Sequence, residues 1–161
     1  MASVPDTAVQ ELSGHELAAW RGLLRVHSAL VKALDAELLA GHELPLTSYE
    51  VLINLQAAPG RRRRMAELAD GVLLSRSGMT RLVDRLEREG LLERDPCTDD
   101  GRGTYAVLTD KGDALLLHAR RTHLDGVRDR FVRHFEPDEL RTLAALWNRV
   151  LPGSADLSPQ D

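Results

Sequence analysis

The sequence predicts a mainly α-helical fold with one small β-hairpin, and three observations carry that reading. Apolar residues recur at helical spacing through most of the chain, a short alternating segment at 104–108 breaks the rhythm, and a turn-rich stretch at 95–103 precedes it. The 161 residues suit a single folded unit, at about 100–200 residues per domain, and show no internal repeat. A chain of this size buries roughly 68–70% of its unfolded surface without staples. Its 43% hydrophobic and 29% charged residues are ordinary for a globular protein. One cysteine excludes an internal disulfide framework and a cysteine-based zinc finger. No apolar run approaches the ~18 residues of a membrane span and no secretory leader is evident, so a cytoplasmic chain without a membrane partner is expected.

Residues 14–40 read as the first helix. One apolar stripe runs through Leu17, Trp20, Leu24, His27, Val31, Leu34 and Leu38, and a second through Leu12, Ala19, Leu23, Val26, Leu30 and Ala33. A helix apolar on two faces needs two covers, and the simplest second cover is another subunit. Gly41 to Pro45 breaks the pattern. Thr47-Ser48-Tyr49-Glu50 then reads as a capping box, with Thr47 at the N-cap and Glu50 reaching back. The helix it opens carries Val51, Leu52 and Leu55 and stops at Pro59-Gly60. Arg61 to Arg64 form a basic link, with room for a short extended piece. A third helix covers about 65–72. Ser75 caps a fourth, to about 89, whose buried side is Met79, Leu82, Val83 and Leu86 and whose stop is Gly90. Strands at 91–94 and 104–108 pair as a hairpin. Thr109 caps a long helix of about 110–134, and Pro137 opens a last helix with Leu140, Leu143, Trp147, Val150 and Leu151. The tails, up to about 12 and beyond 152, are polar and expected to fray.

Charge is unevenly spread. The chain is −4, yet residues 61–94 hold nine arginines against six acids, a local +3. Only Lys32 and Lys111 are lysines, so the cationic groups are nearly all guanidiniums, rigid forks suited to phosphate and guanine edges. A GC-rich genome favours arginine codons, but that does not account for four in succession beside a helical motif. Three short helices followed by a β-hairpin are the layout of a winged helix-turn-helix, whose recognition helix lays its N-terminal residues against base edges in the major groove. On the side opposite the apolar stripe, Arg76, Ser77, Thr80 and Arg81 stand near the helix start, with Arg85 one turn on. Gly78 permits close backbone approach or reflects local packing at a cost of roughly 1 kcal/mol.

The run from Leu74 to Arg94, followed by Asp95-Pro96, Asp100-Gly101-Arg102 and Val107-Leu108-Thr109-Asp110-Lys111-Gly112, resembles the MarR family of transcription regulators. The resemblance spans about residues 14–151. It implies one MarR-type unit over 1–161, with residues 14–41 and 110–151 as dimerisation helices and 45–109 as the winged DNA-binding region. It further implies a homodimer that binds a pseudo-palindromic operator on double-stranded DNA, usually as a repressor released by a ligand. Under it, Ser75 caps the recognition helix and Arg76, Ser77, Thr80 and Arg81 read the major groove. Asp100 positions the wing and Arg102 enters the minor groove. This wing departs from the commonest form in flanking Arg102 with Gly101 and Gly103.

Plainer readings stand beside these. Arg76 and Arg81 fit either a DNA contact or a solvated face. Arg85 fits a contact or an i,i+4 pair with Glu89. Arg61, Arg62, Arg63 and Arg64 fit phosphate contacts or a solubilising loop, and Asp84 fits a structural pair with a nearby arginine. A small aromatic acid is the expected ligand, with Trp20, His27 and Tyr49 as an aromatic wall and Arg21 and Arg25 as flanking cations; the rival reading is plain core and dimer packing. Cys97 has no second thiol to resolve it. His118 and His123 are five apart, off the i,i+4 spacing of a helical metal pair, so neither metal nor cofactor is expected. No nucleophile–base pair or phosphate loop suggests an enzyme. The alternative to DNA binding is a winged-helix module that docks another protein.

Overall fold

The computed structural model describes residues 11–71, 76–96 and 103–155. Helix α1 (Gly14–His42) runs through the expected break at Gly41 and ends on Glu43, in the left-handed region at φ 53°. It begins with a capping box: Ser13 Oγ accepts from the Glu16 amide at 3.3 Å, and the Ser13 amide donates to Glu16 Oε2 at 2.7 Å.

Helix α2 (Leu46–Gln56) does not use the Thr47 cap expected from the sequence. It starts two residues earlier, with Pro45 at the N-cap and no side-chain cap of its own. The Leu46 amide instead donates to Asp35 Oδ1 of α1 at 2.8 Å, so an acid from another helix satisfies one of the orphan donors. A short 3-10 turn (Pro59–Arg61) leads into strand β1 (Arg62–Arg64), then α3 (Met65–Gly71) and α4 (Arg76–Arg88). Strands β2 (Leu92–Pro96) and β3 (Thr104–Leu108) follow, then α5 (Asp110–Arg130), a 3-10 turn (Val132–His134) and α6 (Pro137–Val150). The long helix expected to reach 134 thus stops at Arg130.

The expected hairpin is part of a three-stranded antiparallel sheet in the order β1-β3-β2. Arg62, Arg63 and Arg64 lie opposite Val107, Ala106 and Tyr105, and Leu92 lies opposite Leu108. Leu92, Ala106 and Leu108 face the core, whereas Tyr105 faces outward with the side chains of Arg62 and Arg64 over its ring. That guanidinium–aromatic packing is what an arginine run gains by being extended.

The core joins α2, α3, α4, the sheet and the middle of α5: Val51, Leu52, Leu55, Leu68, Val83, Leu86, Ala106 and Leu116 are all essentially inaccessible. Met79, Leu82, Val83 and Leu86 are the buried side of α4, as their spacing requires. Helix α1 packs along α5 at Gly126, where an added Cβ would lie 2.4 Å from Glu37 Oε2 and 2.8 Å from Leu34 Cδ2. In contrast, Leu38 is the one buried residue of α1, and α6 buries none. Trp20, Leu24, Val26, Trp147, Val150 and Leu151 stand exposed at the two ends of the chain. Among the described residues no helix is long and apolar enough to cross a membrane.

The end of α4 is docked on the start of α5. Gly90, at φ 72°, turns the chain out of the helix, and the Leu91 amide bonds back to the Leu86 carbonyl at 2.9 Å. Thr109 Oγ1 donates to the Gly90 carbonyl at 2.7 Å and accepts from the Gly112 amide at 3.0 Å, capping α5 as expected. Lys111 Nζ donates to the Glu89 carbonyl at 2.7 Å. At Gly112 an added Cβ would sit 2.0 Å from the Leu91 carbonyl oxygen and 2.8 Å from Leu108 Cδ1. Gly112→Ala is therefore expected to destabilise the fold by about 3 kcal/mol or more, since backbone rather than a side-chain tip must yield. Gly41→Ala, with nothing within 4 Å of the new methyl, is expected to be neutral or stabilising by up to about 1 kcal/mol. Equal thermal melting of the two variants would contradict this account.

Candidate nucleic-acid interface

Helix α4 is amphipathic in the manner a groove reader needs. Its buried stripe fixes it against α3 and β2, and Ser77, Thr80 and Arg81 are exposed on the far side near its start. Arg76 is the first residue of the helix, though its side chain lies outside the described part. Ser75, Asp100, Arg102 and Cys97 also lie outside the described residues.

Several charged groups hold the second half of α4 rather than face outward. Arg94, on β2, reaches back to Asp84 at 2.5 Å and to Glu87, which gives Asp84 its structural partner. The hydrogen bond that Arg94 donates to Asp84, ahead of the charge of Glu87 and the bond to it, raises the Arg94 pKa above its ordinary value. Arg88 Nε donates to the Asp84 carbonyl at 3.2 Å. Arg85, one of the expected reader residues, turns inward: Nη2 donates to Ser48 Oγ at 2.5 Å, and Nε lies 3.9 Å from Glu89.

Three of the four arginines, Arg62–Arg64, form the edge strand β1, and Arg61 closes the 3-10 turn before it. Arg61 pairs with Asp113 at 3.0 Å and Asp110 at 3.5 Å. Arg62 lies 3.6 Å from Asp95 and 4.3 Å from the Tyr105 ring centre. Arg63 Nε donates to the Asn54 carbonyl at 3.2 Å, and the Arg64 guanidinium is 5.8 Å from the Tyr105 ring centre. Arg61 and Arg62 keep nearly half of their side-chain surface exposed, so these pairs are the weak kind found at surfaces.

The structure does not assemble the expected aromatic pocket. A groove of about 750 Å³ does open between α1 and α2, lined by His27, Ser28, Val31, Lys32, Asp35, Pro45, Leu46, Thr47 and Glu50. Of the five expected residues only His27 lines it. Trp20, Arg21 and Arg25 stand exposed on the N-terminal half of α1. Tyr49 does not line the groove and is buried against α5, because it shares a face with Leu52, three residues on. Its ring lies 4.5 Å from that of His123 on α5, and its hydroxyl and His123 Nδ1 are buried without a hydrogen-bond partner. Lys32, Asp35 and Glu50 were missed. Asp35 stands four residues beyond Val31 on α1, which was the available signal, whereas Glu50, on α2, read only as the capping partner of Thr47. Burial raises the Glu50 pKa, against a smaller lowering effect from His27. Among the described residues no group of three or more His, Cys, Asp or Glu side chains is placed to hold a metal ion.

This arrangement, a recognition-type helix seated on two others beside a small antiparallel sheet, defines a winged helix-turn-helix protein. The MarR family model matches residues 42–103. The HTH-type transcriptional regulator PecS of Dickeya dadantii is 30% identical over 135 residues, which cover 80% of this chain and 76% of that protein. The multiple antibiotic resistance protein MarR of Salmonella typhimurium is 26% identical, covering 68% of this chain and 75% of that protein. Among solved structures, Sco3205 of Streptomyces coelicolor, a MarR family transcriptional regulator in complex with DNA, is similar with a TM-score of 0.85 and 32% identity over 94% of both chains. AbsC, a MarR family transcriptional regulator of the same organism, gives a TM-score of 0.83 and 31% identity over 88% of this chain and 95% of that one. The chain belongs to the MarR family of transcription regulators, and it is not an enzyme.

The Tyr49–His123 contact makes stability depend on pH. Burial holds the His123 pKa below its ordinary 6.5, with the Glu37 carboxylate acting more weakly in the other direction. The unfolded chain therefore takes up this proton at a higher pH than the folded chain does, and stability falls as pH falls below about 6.5. Glu50 works oppositely, since its raised pKa favours the folded chain at low pH. His123→Phe, which keeps a ring against Tyr49, is expected to lessen the loss of melting temperature between pH 7 and the region below 6.5. Parallel curves for variant and wild type would contradict the assignment.

Proposed function

We propose that the chain is a dimeric, cytoplasmic DNA-binding repressor that occupies a pseudo-palindromic operator and is released by a small-molecule ligand. The single observation that carries DNA binding is α4 itself. One side is locked into the core by Met79, Leu82, Val83 and Leu86, and the other presents Ser77, Thr80 and Arg81 to solvent. Direct readout needs a rigid helix with short polar groups and a guanidinium fork at its leading end. In this reading Arg76 and Ser75 complete the leading turn, Asp100 and Arg102 form the wing contact, and Arg61 to Arg64 lie along the phosphate backbone. Residues 45–109 are the reader and residues 14–41 and 110–151 the dimerisation region. The DNA complex of Sco3205 supports the reading at 32% identity.

Dimerisation is supported by the apolar surface left on α1 and α6, where Trp20, Leu24, Val150 and Leu151 are each at least 49% exposed. Large apolar side chains exposed together on two helices suit a surface for association. A second copy would place two α4 helices about one helical turn apart, ~34–36 Å. The ligand reading rests on the α1–α2 groove, whose volume falls within the roughly 300–1,000 Å³ of small-molecule sites. His27 and Lys32 offer cationic or donor groups there beside the apolar Val31, Pro45 and Leu46, which suits an aromatic carboxylate.

Two measurements test the proposal. Arg81→Ala is expected to weaken binding to the duplex upstream of the chain's own gene by ~1–3 kcal/mol at fixed salt. Unchanged affinity removes Arg81 from the reading set, and no binding by the wild type favours a protein-docking role instead. In sedimentation equilibrium the wild type is expected to be a dimer, and Leu24→Glu combined with Val150→Glu a monomer. A monomeric wild type would defeat the dimer reading.

A further inference from the structure

We infer that Arg85 is a positioning residue: by hydrogen-bonding the buried hydroxyl of Ser48 it fixes the seat of α4 on α2, and it does not touch the duplex. This rests on the reading of α4 as the recognition helix and assigns one of its arginines a different task.

Ser48 is the one polar side chain in the buried core of the described residues, with no accessible surface, in a helix whose neighbours Leu46, Tyr49, Val51, Leu52 and Leu55 are also buried. A hydroxyl in such a place is tolerated when it is bonded. The bond comes from Arg85 Nη2, 37 residues away in sequence, at 2.5 Å. A charged donor makes it the strong kind of hydrogen bond. On its other edge the guanidinium has Glu89 at 3.9 Å, so the fork spans from the core hydroxyl to the helix surface.

Geometry explains why one bond is suited to this task. Arg94, Lys111 and Thr109 hold the far end of α4 to β2 and α5, but the buried stripe along the helix is apolar, and apolar contact has no direction. Met79, Leu82, Val83 and Leu86 would stay buried through a small rotation or slide of the helix. Arg85 lies four residues beyond Arg81, on the next turn, so a rotation permitted at Arg85 is shared by Thr80 and Arg81. The Ser48 bond is directional, and α2 is tied to the rest of the chain by Asp35 at its start and by Gln56, which donates to Asp113 of α5 at 2.6 Å, at its end.

The test is a double-mutant cycle on DNA binding with the full chain, using Ser48→Ala, Arg85→Ala and the double variant. Arg85→Met is added to keep the aliphatic stem, and helical content is verified for each. Binding is measured to the operator duplex and to a random duplex of equal length across a salt series. Ser48→Ala and Arg85→Ala are each expected to weaken operator binding roughly tenfold. Random-duplex affinity and the slope of log K against log salt should stay as in the wild type, and Ser48→Ala should add less than about twofold in the Arg85→Ala background. A role confined to folding would lower the melting temperature without changing the operator-to-random ratio, and would overturn the inference. So would an equal loss on both duplexes with a slope reduced by about one, the mark of a phosphate contact, or fully additive losses. A wild type that fails to prefer its operator would sink the recognition reading together with this inference. A wild type that binds, matched by an equally tight Ser48→Ala, would sink this inference alone.

Discussion

A close backbone approach governs the place of α4: the backbone of Gly112 lies so near the Leu91 carbonyl that no side chain fits between them. That contact brings the first turn of α5 against the residues leaving α4. Thr109 and Lys111 then reach the last carbonyls of α4, and Gly90 supplies the left-handed turn that lets the chain pass. Strand β2 emerges from the same point, which allows Arg94 to return along it to Asp84 and Glu87. One knot thus fixes the end of the helix, the root of the sheet and the start of the long helix below. The leading end of α4, with Ser77, Thr80 and Arg81, projects from it.

Helix α2 plays a complementary part. It is the most deeply buried helix, and its contacts run in every direction: Asp35 of α1 at its first amide, Arg85 of α4 at Ser48, His123 of α5 at Tyr49, Asp113 of α5 at Gln56. The groove with α1 lies along its outer side. Anything that moves α2 relative to α1 or α5 is therefore felt at α4 through a directional bond as well as through packing.

What was legible in the sequence was local. The stripe Met79, Leu82, Val83, Leu86, the stop at Gly90 and the cap at Thr109 depend on residues within a turn or two of one another, and periodicity finds such features. What was not legible depended on partners distant in the chain. Thr47 had the pattern of a cap, but Asp35, eleven residues upstream, serves the first turn instead. Tyr49 had the character of a pocket wall, but the face it shares with Leu52 is the one α5 covers. Arg61 to Arg64 read as a basic link with a short extended piece, which is β1, but the sequence did not name its partner. Arg62 to Arg64 pair with β3 because Tyr105 offers a ring to stack on and Asp95 a charge to meet. Arg85 resembled a reader by spacing alone, and only the fold shows the hydroxyl behind it.

The uneven charge noted in the sequence takes on a spatial meaning in the fold. The segment 61–94 is net +3 in a chain of −4, yet three acids from outside it close on its arginines: Asp110 and Asp113 on Arg61, and Asp95 on Arg62. The excess at β1 is thus balanced locally, and a polyanion nearing that strand has to compete with carboxylates already in place. At exposed pairs such competition is weak, and it weakens further as added ions shorten the reach of each charge.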